Sequence, residues 1–162
     1  MSGNLAFSRQ LINLRSARTV GILCAPSGMA ELEDALASVQ VLPSRDITLM
    51  VWMKEDSKIR KPSLPSWAGE LTLRDLDFFY LPKSRKIRKF IETPFDVLIV
   101  LDMADELPLK AFSILTKARC CMGVRNNVSQ GYYDFTIVPR EKDSYSSLMN
   151  HLMQYSKCFP SL

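Results

Sequence analysis

Short apolar runs alternate with segments of helical periodicity along most of the chain. Residues 19–25, 46–53 and 95–101 are largely apolar, and near-continuous apolar character is typical of strands buried on both faces of a parallel sheet. Shorter or less regular runs predict further strands over residues 71–80, 120–124 and 133–138. Apolar residues spaced three or four positions apart predict helices over residues 5–14, 29–39, 84–92, 106–118 and 144–157.

The alternation of strands and helices predicts the α/β class. We expect a single domain over residues 1–162, folded as a three-layer Rossmann-like sandwich with a mostly parallel sheet. A length of 162 residues suits one domain with a substantial core. The polar stretch over residues 54–70 contains two prolines and is predicted to be a long surface loop.

Composition narrows the protein class. The four cysteines have no CxxC spacing and favour a reducing compartment, and the N-terminus lacks the apolar core of a signal peptide, so we expect a cytoplasmic location. No run approaches the roughly 18 apolar residues of a membrane span, so no membrane partner is expected. The net charge of +4 does not by itself indicate nucleic acid.

The acidic residues fall into two groups by their position along the predicted strands. Asp46, Asp96 and Asp134 precede apolar runs, which places them at the amino edge of the sheet, opposite the ligand-binding edge. Asp102 follows "VLIVL", and Asp105 comes shortly after, so both are expected at the carboxyl edge. The preferred interpretation is that they cap or shape a turn, and the alternative is that they bind a ligand.

The loop "APSG", residues 25–28, joins the first predicted strand to the first predicted helix. A phosphate or carboxylate could bind there to the backbone N–H groups around Ser27 and Gly28. The preferred interpretation is that Ser27 caps the helix. The loop has neither a GxGxxG nor a Walker pattern, and we predict no cofactor.

Basic residues are most concentrated in the segment "KSRKIRK", which has aromatic residues nearby. Basic side chains in the first turn oppose the helix dipole, so an RNA or another anionic ligand is one interpretation. The preferred interpretation is the solvated face of an amphipathic helix. The basic residues are Lys83, Arg85, Lys86, Arg88 and Lys89.

The side chains that would support catalysis or metal binding are sparse. His151 is the single histidine, no GxSxG elbow supports a serine nucleophile, and Cys120 and Cys121 would point to opposite faces of a strand. We therefore predict no metal site. Cys24 is interpreted as a small buried apolar residue.

The segments "PKSRKIRKFIETPFDVLIVLD" and "LPLKAFSILTKARCCMGV" carry a family resemblance. Together they resemble an uncharacterised family of small bacterial proteins of unknown function, which implies no activity and no site residue. The chain is more distantly similar to the N-terminal lobe of heptosyltransferase-like glycosyltransferases. That similarity implies a shared half-fold and does not imply glycosyl transfer.

These observations favour a non-catalytic domain that binds a partner protein or a small molecule. One alternative is a small nucleotide- or sugar-nucleotide-related enzyme or ligand-binding protein, with its site at the carboxyl edge of the strands. A second alternative is binding of RNA or another anionic ligand through the basic helix over residues 83–89. Whether the protein is an enzyme stays open, and the edges of an open sheet allow a homodimer.

Overall fold

Six parallel strands form one sheet in the computed structural model, which describes residues 9–44, 46–54, 64–103, 106–124 and 133–162. In chain order the strands are β1 (Thr19–Cys24), β2 (Asp46–Trp52), β3 (Ala68–Leu71), β4 (Val97–Leu101), β5 (Cys120–Val124) and β6 (Phe135–Ile137). The spatial order is β3-β2-β1-β4-β5-β6, and every neighbouring pair is parallel. The predicted fold class is confirmed.

In the described ranges, four helices cover the sheet on both faces. They are α1 (Met29–Ser38), α2 (Arg85–Glu92), α3 (Leu107–Leu115) and α4 (Tyr145–Tyr155). Alternate strand residues divide between two cores: Ile22 packs with Leu32 of α1 on one face, and Leu23 packs with Ile87 of α2 on the other. Helices α1 and α4 share the first face, and α2 and α3 share the second. None of the helices in the described ranges is long and apolar enough to cross a membrane.

Two carboxylates fix strand entrances at the amino edge. Asp96 Oδ2 accepts hydrogen bonds from the backbone N–H groups of Arg18 (2.9 Å) and Thr19 (3.3 Å), which joins β4 to β1. Asp134 Oδ2 accepts one from the N–H of Cys121 at 2.7 Å. The prediction that these acids lie away from the ligand-binding edge is confirmed, and their role is to join neighbouring strands.

The predicted helix over residues 5–14 is wrong in its described part. Residues 9–13 are irregular, and only a 3₁₀ turn, Leu14–Ser16, follows them. The backbone N–H groups here bond outside the segment, because Asn13 N donates to Pro160 O at 2.9 Å and Leu14 N donates to Ser156 Oγ at 3.1 Å. The segment therefore lies along the C-terminal residues, which supply hydrogen-bond partners that a helix would otherwise provide.

The third strand comes earlier than predicted. Strand β3 lies at the end of the predicted loop over residues 54–70, of which residues 55–63 lie outside the described residues. Residues 72–80 are not a strand, because Thr72 and Asp75 form a reciprocal capping box that begins a 3₁₀ turn. The apparent alternation over residues 71–80 comes from a turn that leaves several large side chains exposed.

Helices α3 and α4 each bury one face. Helix α3 buries Leu109 and Phe112, whereas Leu115 is partly exposed. Helix α4 buries Leu148 and Leu152, and Tyr155 at its end is exposed. The large side chain that α4 does bury is Tyr145, in its first turn.

Candidate functional site at the carboxyl edge

The strand order places a switch point between β1 and β4. The loop after β1 leads to α1 on one face, and the loop after β4 leads to α3 on the other face. Connections that diverge in this way leave a crevice at the carboxyl ends of the two strands, where open α/β sheets bind ligands. The Ser27–Gly28 loop and Asp102 therefore lie at this switch point.

The first loop at the switch point is closed by the chain's own carboxylate. Gly28, and not Ser27, is the N-cap of α1, and it makes no side-chain cap bond, so the predicted capping role of Ser27 is wrong. The backbone N–H and the hydroxyl of Ser27 both donate to Glu31 Oε2, at 2.6 and 2.9 Å. A phosphate at this loop would have to compete with the Glu31 carboxylate.

Asp102 shapes the second loop at the switch point. Its side chain is only 4% exposed, and its Oδ2 accepts a hydrogen bond from the backbone N–H of Glu106 at 2.7 Å. Glu106 is the N-cap of α3, so the carboxylate holds the turn that leads into this helix. This geometry agrees with the turn-shaping interpretation, and Asp105 lies outside the described residues.

Tyr145 brings the start of α4 to the same edge. Burial, together with the nearby Cys24 and Glu31, raises the pKa of the Tyr145 hydroxyl far above its usual range. Asp34 of α1 fixes this position, because its Oδ2 accepts a hydrogen bond from Tyr145 N at 2.7 Å. The phenol is therefore a neutral group beside the end of β1.

A cavity of about 440 Å³ lies next to these loops at the carboxyl edge. Its volume is in the range of small-molecule sites. An ion pair between Lys54, after β2, and Glu106, before α3, joins two of the segments that form it. The lining residues are Trp52, Lys54, Leu73, Tyr80, Glu106, Leu107 and Pro108.

Trp52 supplies the most informative polar atom of this cavity. The residue is 4% exposed, and its Nε1 has no hydrogen-bond partner among the described residues. A buried donor without an acceptor costs about 1–3 kcal/mol of folding free energy. Trp52 also lines the cavity, so a ligand bound there would lie against this side chain.

The sequence does not reveal this cavity. Trp52 ends an apolar run and resembles an ordinary core residue. A buried indole N–H usually needs a hydrogen-bond partner, and this requirement is the one feature of the sequence that could have pointed to Trp52. Tyr80 has a left-handed backbone, with φ of 61°, which the sequence does not reveal. Leu107 was placed in a helix, but its 58% exposure depends on the tertiary packing.

The basic helix has the two faces that the sequence predicts. Ser84 caps α2 by accepting a hydrogen bond from Ile87 N, and the five basic side chains are all exposed. Lys86 Nζ lies 4.0 Å from Asp75 Oδ2, and Arg88 Nε donates to Pro82 O at 3.4 Å. Because α2 follows β3, its basic first turn lies at the carboxyl edge.

The remaining reactive side chains do not assemble around the switch point. A second cavity, of about 350 Å³, includes Asp143 and His151 among its lining residues and lies beside the outer strand β6. Burial raises the pKa of the Cys24 thiol to about 12 and that of Cys120 to about 11, so both thiols stay protonated. Over the described ranges, no group of three or more His, Cys, Asp or Glu side chains could hold a metal ion.

The fold and cavity define a class: a small parallel α/β domain with a ligand-sized cavity at the carboxyl edge of its sheet. The chain belongs to a family of unknown function, DUF6913, whose model matches residues 4–159. No curated protein matches the sequence. The expected similarity to heptosyltransferase-like glycosyltransferases has no support in these comparisons.

Proposed function

We propose that the protein is a ligand-binding domain whose carboxyl-edge cavity takes a planar, acceptor-bearing ring of the nucleobase class. The observation that supports this proposal best is the buried Nε1 of Trp52. It has no acceptor among the described residues, and its side chain lines the cavity. A purely structural tryptophan would be expected to bond this N–H internally.

The other lining residues suit the same ligand. Leu73, Leu107 and Pro108 are apolar, and Tyr80 adds an aromatic ring, so a flat ring would bury most of its surface. The Lys54–Glu106 pair offers one cation and one carboxylate to the polar substituents of a nucleotide. Nucleotides are also the ligands that open parallel sheets with this strand order commonly bind at the carboxyl edge.

Binding is proposed without catalysis. The charged groups that line the cavity are Lys54 and Glu106, and each is engaged by the other in an ion pair. Asp102 accepts a backbone hydrogen bond in the turn, which suits a structural role. A small nucleotide-related enzyme is therefore the second candidate, favoured only by the position of Asp102 at the switch point.

Tryptophan fluorescence and calorimetry test the proposal directly. Trp52 and Trp67 are the two tryptophans, so a Trp67→Phe variant leaves Trp52 as the single tryptophan. Adenosine, uridine, AMP and UMP would be titrated into this variant, and we expect at least one of them to change the Trp52 emission saturably. Calorimetry on the unmodified protein should give the same dissociation constant.

Trp52→Phe is the matched control, because it keeps an aromatic ring and removes the N–H. Loss of one buried hydrogen bond should weaken binding about tenfold, which corresponds to about 1.4 kcal/mol. The variant should stay folded, since the N–H that it removes has no partner within the described structure. Equal affinity in Trp52→Phe, or no binding of all four compounds at millimolar concentration, would contradict the proposal.

A cytoplasmic location is also proposed, on the cysteines, and a bacterial origin is proposed on the family resemblance. Three of the four cysteines are buried free thiols, which suits a reducing compartment.

A homodimer formed through an outer strand, β3 or β6, is also a proposal, and sedimentation of the full chain would test it. A monomer at tens of micromolar would contradict the dimer without affecting the cavity.

A further inference from the structure

An aromatic turn, defined as residues 77–81, projects from the carboxyl edge between β3 and α2. Phe78 is 91% exposed and Phe79 is 75% exposed, and their rings meet edge to face with centroids 5.5 Å apart. Large apolar side chains at such exposure carry a hydration cost, and a cluster of them commonly marks an interaction surface.

The aromatic turn is held rigidly by its own hydrogen bonds. Asp77 Oδ1 accepts from the N–H groups of Phe79 (2.8 Å) and Leu81 (3.0 Å), and Asp77 N donates to Leu81 O at 2.9 Å. An isolated antiparallel bridge between Leu76 and Pro82 closes its base. Because the turn is ordered in advance, a partner would lose little conformational entropy in binding the two rings.

Positive charge adjoins the aromatic turn. Lys83 N and Ser84 N both donate to Asp75 O, at 2.7 and 3.1 Å, which brings the start of α2 against the base of the turn. Lys83, Arg85 and Lys86 are exposed there, and the positive end of the helix dipole adds to their field. The two nearby acids accept hydrogen bonds within the segment, since Asp75 forms the capping box and Asp77 accepts from Phe79 and Leu81. Asp75 also lies 4.0 Å from Lys86 Nζ and offsets part of the charge of that lysine.

We infer that the aromatic turn and the first turn of α2 bind a single-stranded polynucleotide. Exposed aromatic rings stack on unpaired bases, and adjacent basic side chains contact the phosphates, which is how many proteins bind single strands. Tyr80 belongs to the aromatic turn and also lines the cavity, so the surface is continuous with the site of the proposed function. A duplex would not suit the rings, because its bases are already stacked.

The choice of nucleic acid over another anionic partner rests on the proposed function. A bilayer of anionic lipid would also match exposed phenylalanines beside basic residues. It offers no planar acceptor-bearing ring for the buried Trp52 N–H, whereas each nucleotide supplies both a base and a phosphate. The anionic membrane is therefore the competing outcome of the test.

Fluorescence anisotropy with a labelled twelve-nucleotide oligouridylate tests the inference. We expect a micromolar dissociation constant at 50 mM salt, weakened about tenfold or more by the double variant Phe78→Ser and Phe79→Ser, because each stacked base contributes substantially to affinity. The matched control is Ile114→Ser, which removes an exposed apolar side chain from α3 and should bind like the unmodified protein. Circular dichroism confirms that all variants are folded.

The charge contribution is measured by the salt dependence of binding. A triple variant, Lys83→Gln, Arg85→Gln and Lys86→Gln, should make the slope of log K against log salt shallower by about 2, since each phosphate contact on a single strand contributes about 0.7. The control triple variant removes the same charge from exposed residues that lie outside the turn and α2. Its positions are Arg15, Lys117 and Lys157.

The outcomes separate the two proposals. Unchanged oligonucleotide binding by the phenylalanine variant overturns the inference, and so does binding to phosphatidylglycerol vesicles without binding to the oligonucleotide. Binding of nucleosides in the cavity, with no dependence of oligonucleotide binding on the turn, overturns this inference alone. Oligonucleotide binding that depends on the turn, with no nucleoside binding, supports the surface and contradicts the proposed function of the cavity.

Discussion

Replacement of Asp102 tests whether the acid at the switch point serves the fold or a ligand. Asp102→Ala removes a buried acceptor, 4% exposed, and leaves the N–H of Glu106 without the bond it makes at 2.7 Å. Hydrogen bonds to charged groups contribute about 1.5–3 kcal/mol, so we expect unfolding to become easier by about 2 kcal/mol. For a protein of this size that corresponds to a Tm lower by about 4–8 °C.

The assay is urea and thermal unfolding followed by circular dichroism. Asp102→Asn keeps one side-chain oxygen as an acceptor and loses only the charge, so it should lose less stability, about 1 kcal/mol. Asp46→Ala is the control, because this acid is exposed at the amino edge and should change stability by less than about 0.5 kcal/mol.

Two results would refute the reasoning about Asp102. If Asp102→Ala unfolds at the same urea concentration as the unmodified protein, the carboxylate does not stabilise the turn. If Asp102→Asn keeps its stability but no longer binds any nucleotide that the unmodified protein binds, Asp102 contacts the ligand, and the second candidate function becomes the better one.

Three further predictions follow from buried geometry and charge. Gly21→Ala places a Cβ 2.7 Å from the ring of Phe95 and should lower the free energy of unfolding by about 1–3 kcal/mol. Gly28→Ala is the control, because its added Cβ would have no atom within 4 Å, and it should lower the free energy by less in the same urea titration. Iodoacetamide at pH 8 should label Cys158 alone in the native protein, because the other thiols are buried, and mass spectrometry showing several labels would contradict this. The backbone N–H of Arg140 lowers the pKa of Asp143 below its usual value. The stabilisation from this carboxylate is therefore present above that usual value and is lost as pH falls through the lower folded value. The Tm difference from Asp143→Asn should therefore shrink in strong acid, and a difference that grows there would show the opposite sign.

The sheet could be predicted from the sequence because its strands are buried on both faces. Residues 97–101 and 120–124 are apolar without interruption. Apolar runs this short favour strands, because most helices are longer. Strand β3 could not be found in the same way. It has only four residues, Ala68–Leu71, and its pairing with β2 depends on tertiary contacts that local patterns do not encode.

The site was predictable only in its general location. Strand ends indicated the carboxyl edge, and Ser27 and Asp102 do lie there, but the sequence could not show that each is engaged in its own loop. The cavity depends on Trp52, Tyr80 and Leu107, which come from three separate segments. Their proximity is a property of the fold, so neither spacing nor residue type could have predicted it.

The two carboxylates at the switch point are the reason why the proposed ligand site lies away from the first loop. Glu31 accepts the N–H of Ser27, and Asp102 accepts the N–H of Glu106, so the loops that bind phosphate in many folds of this strand order already have negatively charged partners. Within the described residues, two buried donors lack a hydrogen-bond partner, the indole N–H of Trp52 and the hydroxyl of Tyr145. Of these two side chains, Trp52 is the one that lines the cavity. Under the proposed function, a ligand would be anchored through its ring in the cavity, with any phosphates directed to basic side chains outside the switch point.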